Sequence, residues 1–340
     1  MKSSNQNNDN NDNNKWIIIS PSMYILIISL FIMILLYSIS IFFSKDMNQF
    51  LKLYRVPTFE ESLIYYQMSY VHNSNEYNDV IFLGESACLS GIITRQFEKK
   101  TNLKAYNLGT LGWLGPDGYI DILKSYIENH HEPKIIVFAV FPPLLADEKS
   151  KNPEIKKRFI RSFGGDIKTS MLNSSIPPQY LVREGIRTIF GKIQGGADYY
   201  FNVNRYHRPS HFDMSRSILE QRGFQEDIRR KTIKPIEKKA FIVSKKYKKN
   251  IFDMALLARK KNVILMIRLM PIPFQENYID ATPLIQYLKV IEKEFSNVII
   301  DKPIILHYNT KLYAKITHLN IYGARKFTNY LSKRISKIIK

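Results

Sequence analysis

The feature that most constrains the fold is an alternation of short apolar runs and amphipathic segments that starts at Asp79. The apolar runs lie at 80–83, 104–109, 134–140, 263–269 and 298–301. The segments with helical spacing lie at 92–100, 116–129, 251–260, 282–295 and from Ile321 onward. Strands that alternate with helices of this length indicate parallel βαβ crossovers. We therefore predict an α/β fold with a doubly wound, flavodoxin-like parallel sheet of about five strands.

One long region, residues 146–249, interrupts this alternation and is rich in Lys, Arg, Ser and Tyr. We interpret it as a mostly helical or irregular insertion after the third strand. Open α/β sheets bind ligands outside the carboxyl ends of their strands. Because the insertion leaves from that edge, we expect it to form a lid or an acceptor-binding surface.

The sequence before the α/β pattern divides into three parts. Residues 1–15 are rich in Asn and predict a disordered tail. Residues 16–44 carry no charged side chain, and about 20 apolar residues span a bilayer, so they predict a retained transmembrane helix rather than a cleaved signal peptide. Residues 45–78 predict a helical connector, which leaves 79–340 as the main domain.

The charge balance is strongly basic, with 50 Lys and Arg against 30 Asp and Glu and a net charge of +20. Basic clusters at 156–158, 229–231 and 245–249 lie outside any recognisable nucleic-acid module, so we predict no nucleic-acid partner. A solvated surface, or one that contacts an anionic lipid or glycan, explains them better. The single cysteine, Cys88, excludes an internal disulfide.

A candidate nucleophile follows the first predicted strand, in the stretch LGESACLSG at 83–91. Ser86 lies between a strand and a helix, at the mouth of the predicted sheet, where a serine hydroxyl could attack a substrate. Serine at such a turn is also a common helix N-cap. The turn taken alone favours the cap.

Two further stretches favour the nucleophile. NLGTLG at 107–112 places Asn107, Gly109 and Gly112 where backbone could approach a ligand, and its spacing matches no phosphate-binding motif. His318 precedes the last helix, where its ring could reach the first turn. Serine, glycine turn and late histidine together suit a base-activated hydroxyl. The other histidines lack such a context: 72, 130, 131, 207, 211 and 307.

These three stretches resemble the SGNH, or GDSL-like, hydrolase superfamily over about half of the chain. The tripeptide Gly84-Glu85-Ser86 is similar to the first block of the family, commonly Gly-Asp-Ser. The resemblance implies that Ser86 is the nucleophile and His318 the general base. It also implies that the N–H groups of Ser86 and Gly112 bind the oxyanion.

The N-terminal anchor, the insertion and the ending HLN-x-x-GA look most like a membrane-anchored branch of this superfamily. That branch includes the D-alanyl transfer protein of lipoteichoic acid, the alginate O-acetylation proteins and the DUF1574 proteins. The resemblance implies an extracytoplasmic domain. The basic residues that flank the span, Lys2 and Lys15 before it and more after it, lean weakly towards a cytoplasmic one.

The sequence departs from the family pattern in two places. The third block lacks its usual Asn, because the strand continues into VFPPLL at 140–145. Lys315 stands three residues before His318, where the family has an Asp that orients the imidazole. A backbone carbonyl could orient the ring instead. Surrogate carboxylates are also possible, and the candidates are Asp301, Asp117 and Glu85.

We expect a membrane-anchored serine esterase or O-acyltransferase that acts on an envelope glycan or an acylated, lipid-linked polymer. The alternative is an impaired accessory protein that binds an anionic polymer or a membrane acyltransferase partner. No cofactor is predicted. A metal site is not predicted either, because the sequence has one Cys, no His-Glu-x-x-His and only the adjacent pair His130 and His131.

Overall fold

The computed structural model divides the chain into two compact units, Met1–Ser44 and Lys45–Lys340. The described residues are 20–43, 63, 67–68, 70–72, 74–146, 218, 220–227, 241–274 and 280–339. The predicted tail and most of the predicted insertion lie outside them. In the first unit, Pro21–Phe43 forms helix α1. Over the residues whose side chains are described, no helix is long and apolar enough to cross a membrane.

The second unit contains the α/β domain. Its elements, in chain order, are β1 (Val80–Gly84), α2 (Ser86–Gly91), α3 (Thr94–Thr101), β2 (Ala105–Gly109), α4 (Gly115–Asn129), β3 (Ile135–Val140), α5 (Lys245–Lys260), β4 (Ile264–Leu269), β5 (Ile272–Pro273), α6 (Thr282–Glu294), β6 (Val298–Ile300), β7 (His307–Tyr308), β8 (Tyr313–Lys315), β9 (His318–Leu319) and α7 (Ile321–Ile339).

Five strands form one parallel sheet in the order β2-β1-β3-β4-β6, which confirms the predicted α/β class. Every residue of β1, β2 and β3 is buried. A strand covered on both faces reads as a continuous apolar run, and β1 and β3 show this pattern in the sequence. β2 departs from it at the buried Asn107. Helices α3 and α7 pack together, as do α4 and α5, and this arrangement is consistent with a doubly wound fold.

The strand order has a switch point between β1 and β3. The chain passes from β1 to its neighbour β2 and then returns across the sheet to β3. In open α/β sheets the crevice at this point is where ligands bind. Ser86 is the second residue after the end of β1, so it lies at this crevice between β1 and β3.

Helix α5 begins at Lys245 rather than at residue 251, inside the range predicted as insertion. Ser244 caps it, because its hydroxyl accepts a hydrogen bond from the Tyr247 N–H at 3.3 Å. Tyr247 and Asn250 are buried on this first part of the helix. The cluster of lysines around them hid the helical spacing in the sequence.

Within the range predicted as a helical connector, 45–78, the described residues 63, 67–68 and 70–72 are helical, whereas 74–78 are not. The helical part belongs to the core of the domain, since Leu63, Met68 and Val71 are buried. Gln67 donates through Nε2 to the carbonyls of Asn107 and Gly109, at 2.8 and 2.9 Å. Those carbonyls lie on β2, the edge strand, so the connector covers part of that edge.

Candidate active site

The turn after β1 is very tight. Gly84 pairs with Ala139 on β3, and a Cβ at residue 84 would lie 1.9 Å from the Ala139 carbonyl oxygen. Only glycine fits so close to another backbone. The glycine therefore lets β1 end against β3 and delivers the next two residues to the carboxyl edge of the sheet.

Glu85, and not Ser86, is the N-cap of α2. Its Oε2 accepts a hydrogen bond from the Ala87 N–H at 2.6 Å, and its Oε1 accepts one from the Phe141 N–H at 3.0 Å. The carboxylate thus joins the turn after β1 to the turn after β3. The capping role that the sequence left open for Ser86 is filled by its neighbour, and the serine hydroxyl is left for other contacts.

Ser86 and His318 lie together. The Nε2 atom of His318 is 2.7 Å from the Ser86 Oγ, although the two residues are 232 positions apart in the chain. His318 is buried in β9, which forms an antiparallel hairpin with β8. Ser86 is partly exposed at the start of α2. The structure therefore brings together the two residues that the sequence analysis singled out.

The second ring nitrogen of His318 contacts Asp227. The Nδ1 atom lies 2.5 Å from Asp227 Oδ2, and both side chains are almost fully buried. A carboxylate in this position holds the imidazole in the tautomer whose Nε2 can accept a proton, and it stabilises the imidazolium that forms. Asp227 lies within the predicted insertion, so that insertion contributes a residue to the site.

The Ser86 hydroxyl has two acceptors within reach but only one proton. It lies 2.7 Å from His318 Nε2 and 3.3 Å from Glu85 Oε2. The shorter contact is the stronger hydrogen bond. The geometry therefore favours donation to the imidazole, which is the arrangement that a base-activated serine needs.

Two of the three carboxylates predicted as surrogates are engaged in other ion pairs. Asp301 is fully buried against Arg268 and also accepts a hydrogen bond from Arg334 at 2.7 Å. Asp117 pairs with Lys246 at 2.6 Å. These two carboxylates hold the scaffold together. The position beside Nδ1 belongs to Asp227, and in this respect the structure differs from the prediction.

Glu85, the third of these carboxylates, contacts Ser86 rather than His318. Lys315 lies in β8 and is paired with His318 across the hairpin. Burial raises the pKa of the Glu85 carboxyl, and the positive charge of Lys315 opposes that rise. The residue three positions before His318 is thus a cation that acts on Glu85.

Gly112 begins a 3-10 helix, Gly112–Leu114, beside the nucleophile turn. A Cβ at this position would lie 4.0 Å from the Cβ of Glu85 and 3.6 Å from Leu144 Cδ1. Gly112 therefore borders the turn that carries Ser86. The turn after β3 has no Asn over 140–145, and the Phe141 N–H in that turn donates to Glu85.

Asn107 and Gly109 take part in the hydrogen bonds that hold α2 against β2. Asn107 lies within β2 and not in the following turn. Its Nδ2 donates to the carbonyls of Cys88 and Ile92, at 3.0 and 3.2 Å, and its Oδ1 accepts from the Gly109 N–H at 2.8 Å. This amide braces α2, the helix that begins with Ser86. Cys88 is buried there, and burial raises the pKa of its thiol.

The free energy of unfolding should depend on pH through the titration of Glu85. Burial raises the pKa of this carboxyl from 4.5 to about 7, although the two N–H donors oppose the shift. A carboxyl with a higher pKa in the folded protein stabilises the fold at low pH, and that contribution is lost as the pH rises from about 4.5 to about 7. We expect the loss to reach about 3 kcal/mol.

The test compares the full chain with Glu85→Gln in a non-ionic detergent. The free energy of unfolding is measured by denaturant titration at pH 5 and at pH 7.5. Wild type should lose stability over this interval relative to the variant, whatever their absolute values. Parallel pH profiles would show that Glu85 is not responsible.

No protein-family model matches the sequence, and no curated protein matches it. The geometry of Ser86, His318 and Asp227, together with the motifs around them, is therefore what indicates a function.

Proposed function

We propose that the protein is a serine esterase or O-acyltransferase with a Ser86, His318 and Asp227 triad. One observation carries the proposal. A continuous chain of hydrogen bonds runs from the Asp227 carboxylate through both nitrogens of the His318 imidazole to the Ser86 hydroxyl. Nucleophile, base and orienting group are recognised by this geometry and not by their order in the chain.

In the proposed reaction, Ser86 Oγ attacks the carbonyl carbon of an ester while His318 Nε2 takes the hydroxyl proton. Asp227 stabilises the imidazolium. The tetrahedral intermediate expels the alcohol, which receives the proton from His318, and the acyl group stays on Ser86. Water or an acceptor hydroxyl then attacks the acyl-enzyme with His318 again as base. The two outcomes are hydrolysis and acyl transfer.

The oxyanion of this intermediate needs donors. We assign the backbone N–H groups of Ser86 and Gly112, since Gly112 borders the nucleophile turn. Backbone donors held rigidly in a site with little water stabilise the developing charge strongly. The absence of an Asn in the third block leaves these two N–H groups as the proposed hole.

The proposed substrate is an O-acylated envelope glycan or lipid-linked polymer. The resemblance of the sequence motifs to membrane-anchored SGNH proteins supports this class, as does a net charge of +20, which suits an anionic polymer. We propose that residues 16–44 anchor the chain in a membrane and that the domain faces outward. A membrane acyltransferase partner could then supply the acyl group.

A non-catalytic accessory role is the second candidate, because the basic surface could hold an anionic polymer without any chemistry. In the sequence, Lys315 at the position of the usual Asp and the missing Asn of the third block motivate this alternative. Asp227 supplies a carboxylate for the imidazole from another part of the chain. We therefore favour catalysis.

Labelling with a fluorophosphonate tests the proposal, because the probe reacts with an activated serine whatever the natural substrate. The full chain, in membranes or detergent, should be labelled, and Ser86→Ala should lose the label completely. Ser90→Ala is the matched control, since Ser90 lies one turn further along α2 and donates to the Ser86 carbonyl. It should keep the label. Equal labelling of wild type and Ser86→Ala would refute the nucleophile, and an unlabelled wild type would favour the accessory role.

A further inference from the structure

The residues that precede Asp227 dock along the outer edge of β2. We refer to residues 220–227 as the acid segment. The Asn107 N–H, on β2, donates to the carbonyl of Arg222 at 3.0 Å, and the Gln225 N–H donates to the Leu89 carbonyl at 3.2 Å. The segment is thus held by the edge strand and by α2, the helix that carries Ser86.

Arg222 is the main side chain that holds the acid segment in place. Its Nε donates to the Ala105 carbonyl at 2.9 Å and lies 2.8 Å from the Glu98 carboxylate. Its Nη1 contacts Glu76 and its Nη2 contacts the Asn78 side-chain oxygen, both at 2.9 Å. All three nitrogens of the guanidinium therefore bind groups of the main domain. A planar fork of donors matches such a set in a way that a lysine ammonium does not.

The backbone beside Arg222 is shaped for close docking. Gly223 has φ +89°, and a Cβ there would lie 1.9 Å from the Asn107 carbonyl oxygen. Phe224 is buried next to it. The chain therefore approaches β2 closely at 222–224 and reaches the buried carboxylate of Asp227 three residues later.

We propose that Arg222 is a positioning residue for the triad, which fixes Asp227 against His318 by clamping the acid segment to the edge of the sheet. This inference rests on the proposed function. Asp227 is only five positions from Arg222 in the chain. Arg222 binds four groups outside the acid segment, so it limits how far Asp227 can move away from His318. Arg222 itself does not touch the reacting atoms.

The first test measures the rate of fluorophosphonate labelling of the full chain. Arg222→Ala should lower the rate by about 10²-fold, the effect expected when a catalytic group is misplaced by about 1 Å. Arg222→Lys should keep the fold and show a smaller loss, because it keeps the charge but not the fork. Arg259→Ala, an exposed arginine on α5, is the control and should react like wild type.

The double variant separates positioning from a general loss of structure. If Arg222 acts through Asp227, Arg222→Ala combined with Asp227→Ala should react no more slowly than Asp227→Ala alone. A further loss in the double variant would show that Arg222 matters for another reason and would overturn the inference.

The second test does not depend on activity. Proton NMR of histidine-labelled protein should show a downfield Nδ1–H resonance from His318 that is absent in Asp227→Ala. Arg222→Ala should lose or shift it, and Arg259→Ala should keep it. An unchanged resonance in Arg222→Ala would overturn the inference. If wild type shows the resonance but is never labelled, the proposed function fails while the NMR comparison still decides the role of Arg222.

Discussion

Asp227→Asn should lower the rate at which Ser86 reacts with a fluorophosphonate by about 10⁴-fold, with little change in the fold. An asparagine has the shape of the aspartate, but its amide cannot hold the imidazole in the productive tautomer or stabilise the imidazolium. The His318 Nδ1 and Asp227 Oδ2 atoms lie 2.5 Å apart, so this substitution changes the group that contacts the imidazole directly. The measurement is the second-order rate constant of fluorophosphonate labelling on the full chain.

Glu226→Gln is the matched control, because it removes the adjacent acidic charge from an exposed position of the same segment. It should react at the wild-type rate. If Asp227→Asn also reacted at that rate, Asp227 would not be the orienting carboxylate, and the site would need another explanation for the position of His318.

Asp301→Asn should destabilise the domain by about 3–5 kcal/mol without altering the triad. The carboxylate compensates Arg268, whose side chain is fully buried, and it also pairs with Arg334 and accepts from the Tyr330 hydroxyl at 2.8 Å. Removal of one partner of a buried ion pair leaves an uncompensated charge, and this is the costly case. The melting temperature should fall by roughly 10 °C.

Asp253→Asn provides the comparison at the surface. Its pair with Lys249 spans one turn of α5, with the lysine exposed and the aspartate partly exposed, so water screens the pair and its loss should change the melting temperature little. Melting temperatures of wild type and both variants are measured by thermal unfolding in the same detergent. Equal melting temperatures for the two variants would show that Asp301 is not a structural carboxylate. If Asp301→Asn folded normally but lost most of its labelling, Asp301 would have to be considered a catalytic residue.

Much of the fold could be predicted because parallel strands covered on both faces leave an obvious pattern. β1, β3 and β4 read as apolar runs, interrupted in β4 by Arg268, and the structure places their bounds within a residue or two of the prediction. Helix α5 was harder to delimit. Its buried positions in the first turns are a tyrosine and an asparagine among lysines, so hydrophobic spacing alone could not reveal its start.

The candidate site could be predicted where its signals are local. Ser86 follows a buried strand, and His318 precedes the last helix, so each has a recognisable setting. Asp227 has none, since it lies 91 positions from His318 in a polar region. That region, 146–249, contains eleven acidic residues, and no spacing rule separates them.

A topological signal could have drawn attention to Asp227. The insertion leaves the sheet at the carboxyl end of β3, the edge where Ser86 and His318 lie. Its carboxylates were therefore candidates on topological grounds, and Asp227 is the one that the structure shows at the imidazole. The carboxylates of the α/β pattern, Asp301, Asp117 and Glu85, are ion-pair or capping residues in the structure.

The docking of the acid segment also affects the tendency of the protein to aggregate. An edge strand exposes unpaired N–H and C=O groups that invite a strand from another molecule, and such pairing leads to aggregation. On β2 the groups of Ala105, Asn107 and Gly109 are occupied by Arg222 and Gln67. A chain whose acid segment came loose would lose its orienting carboxylate and uncover part of this edge in the same event. Inactivation and self-association would then have a common cause.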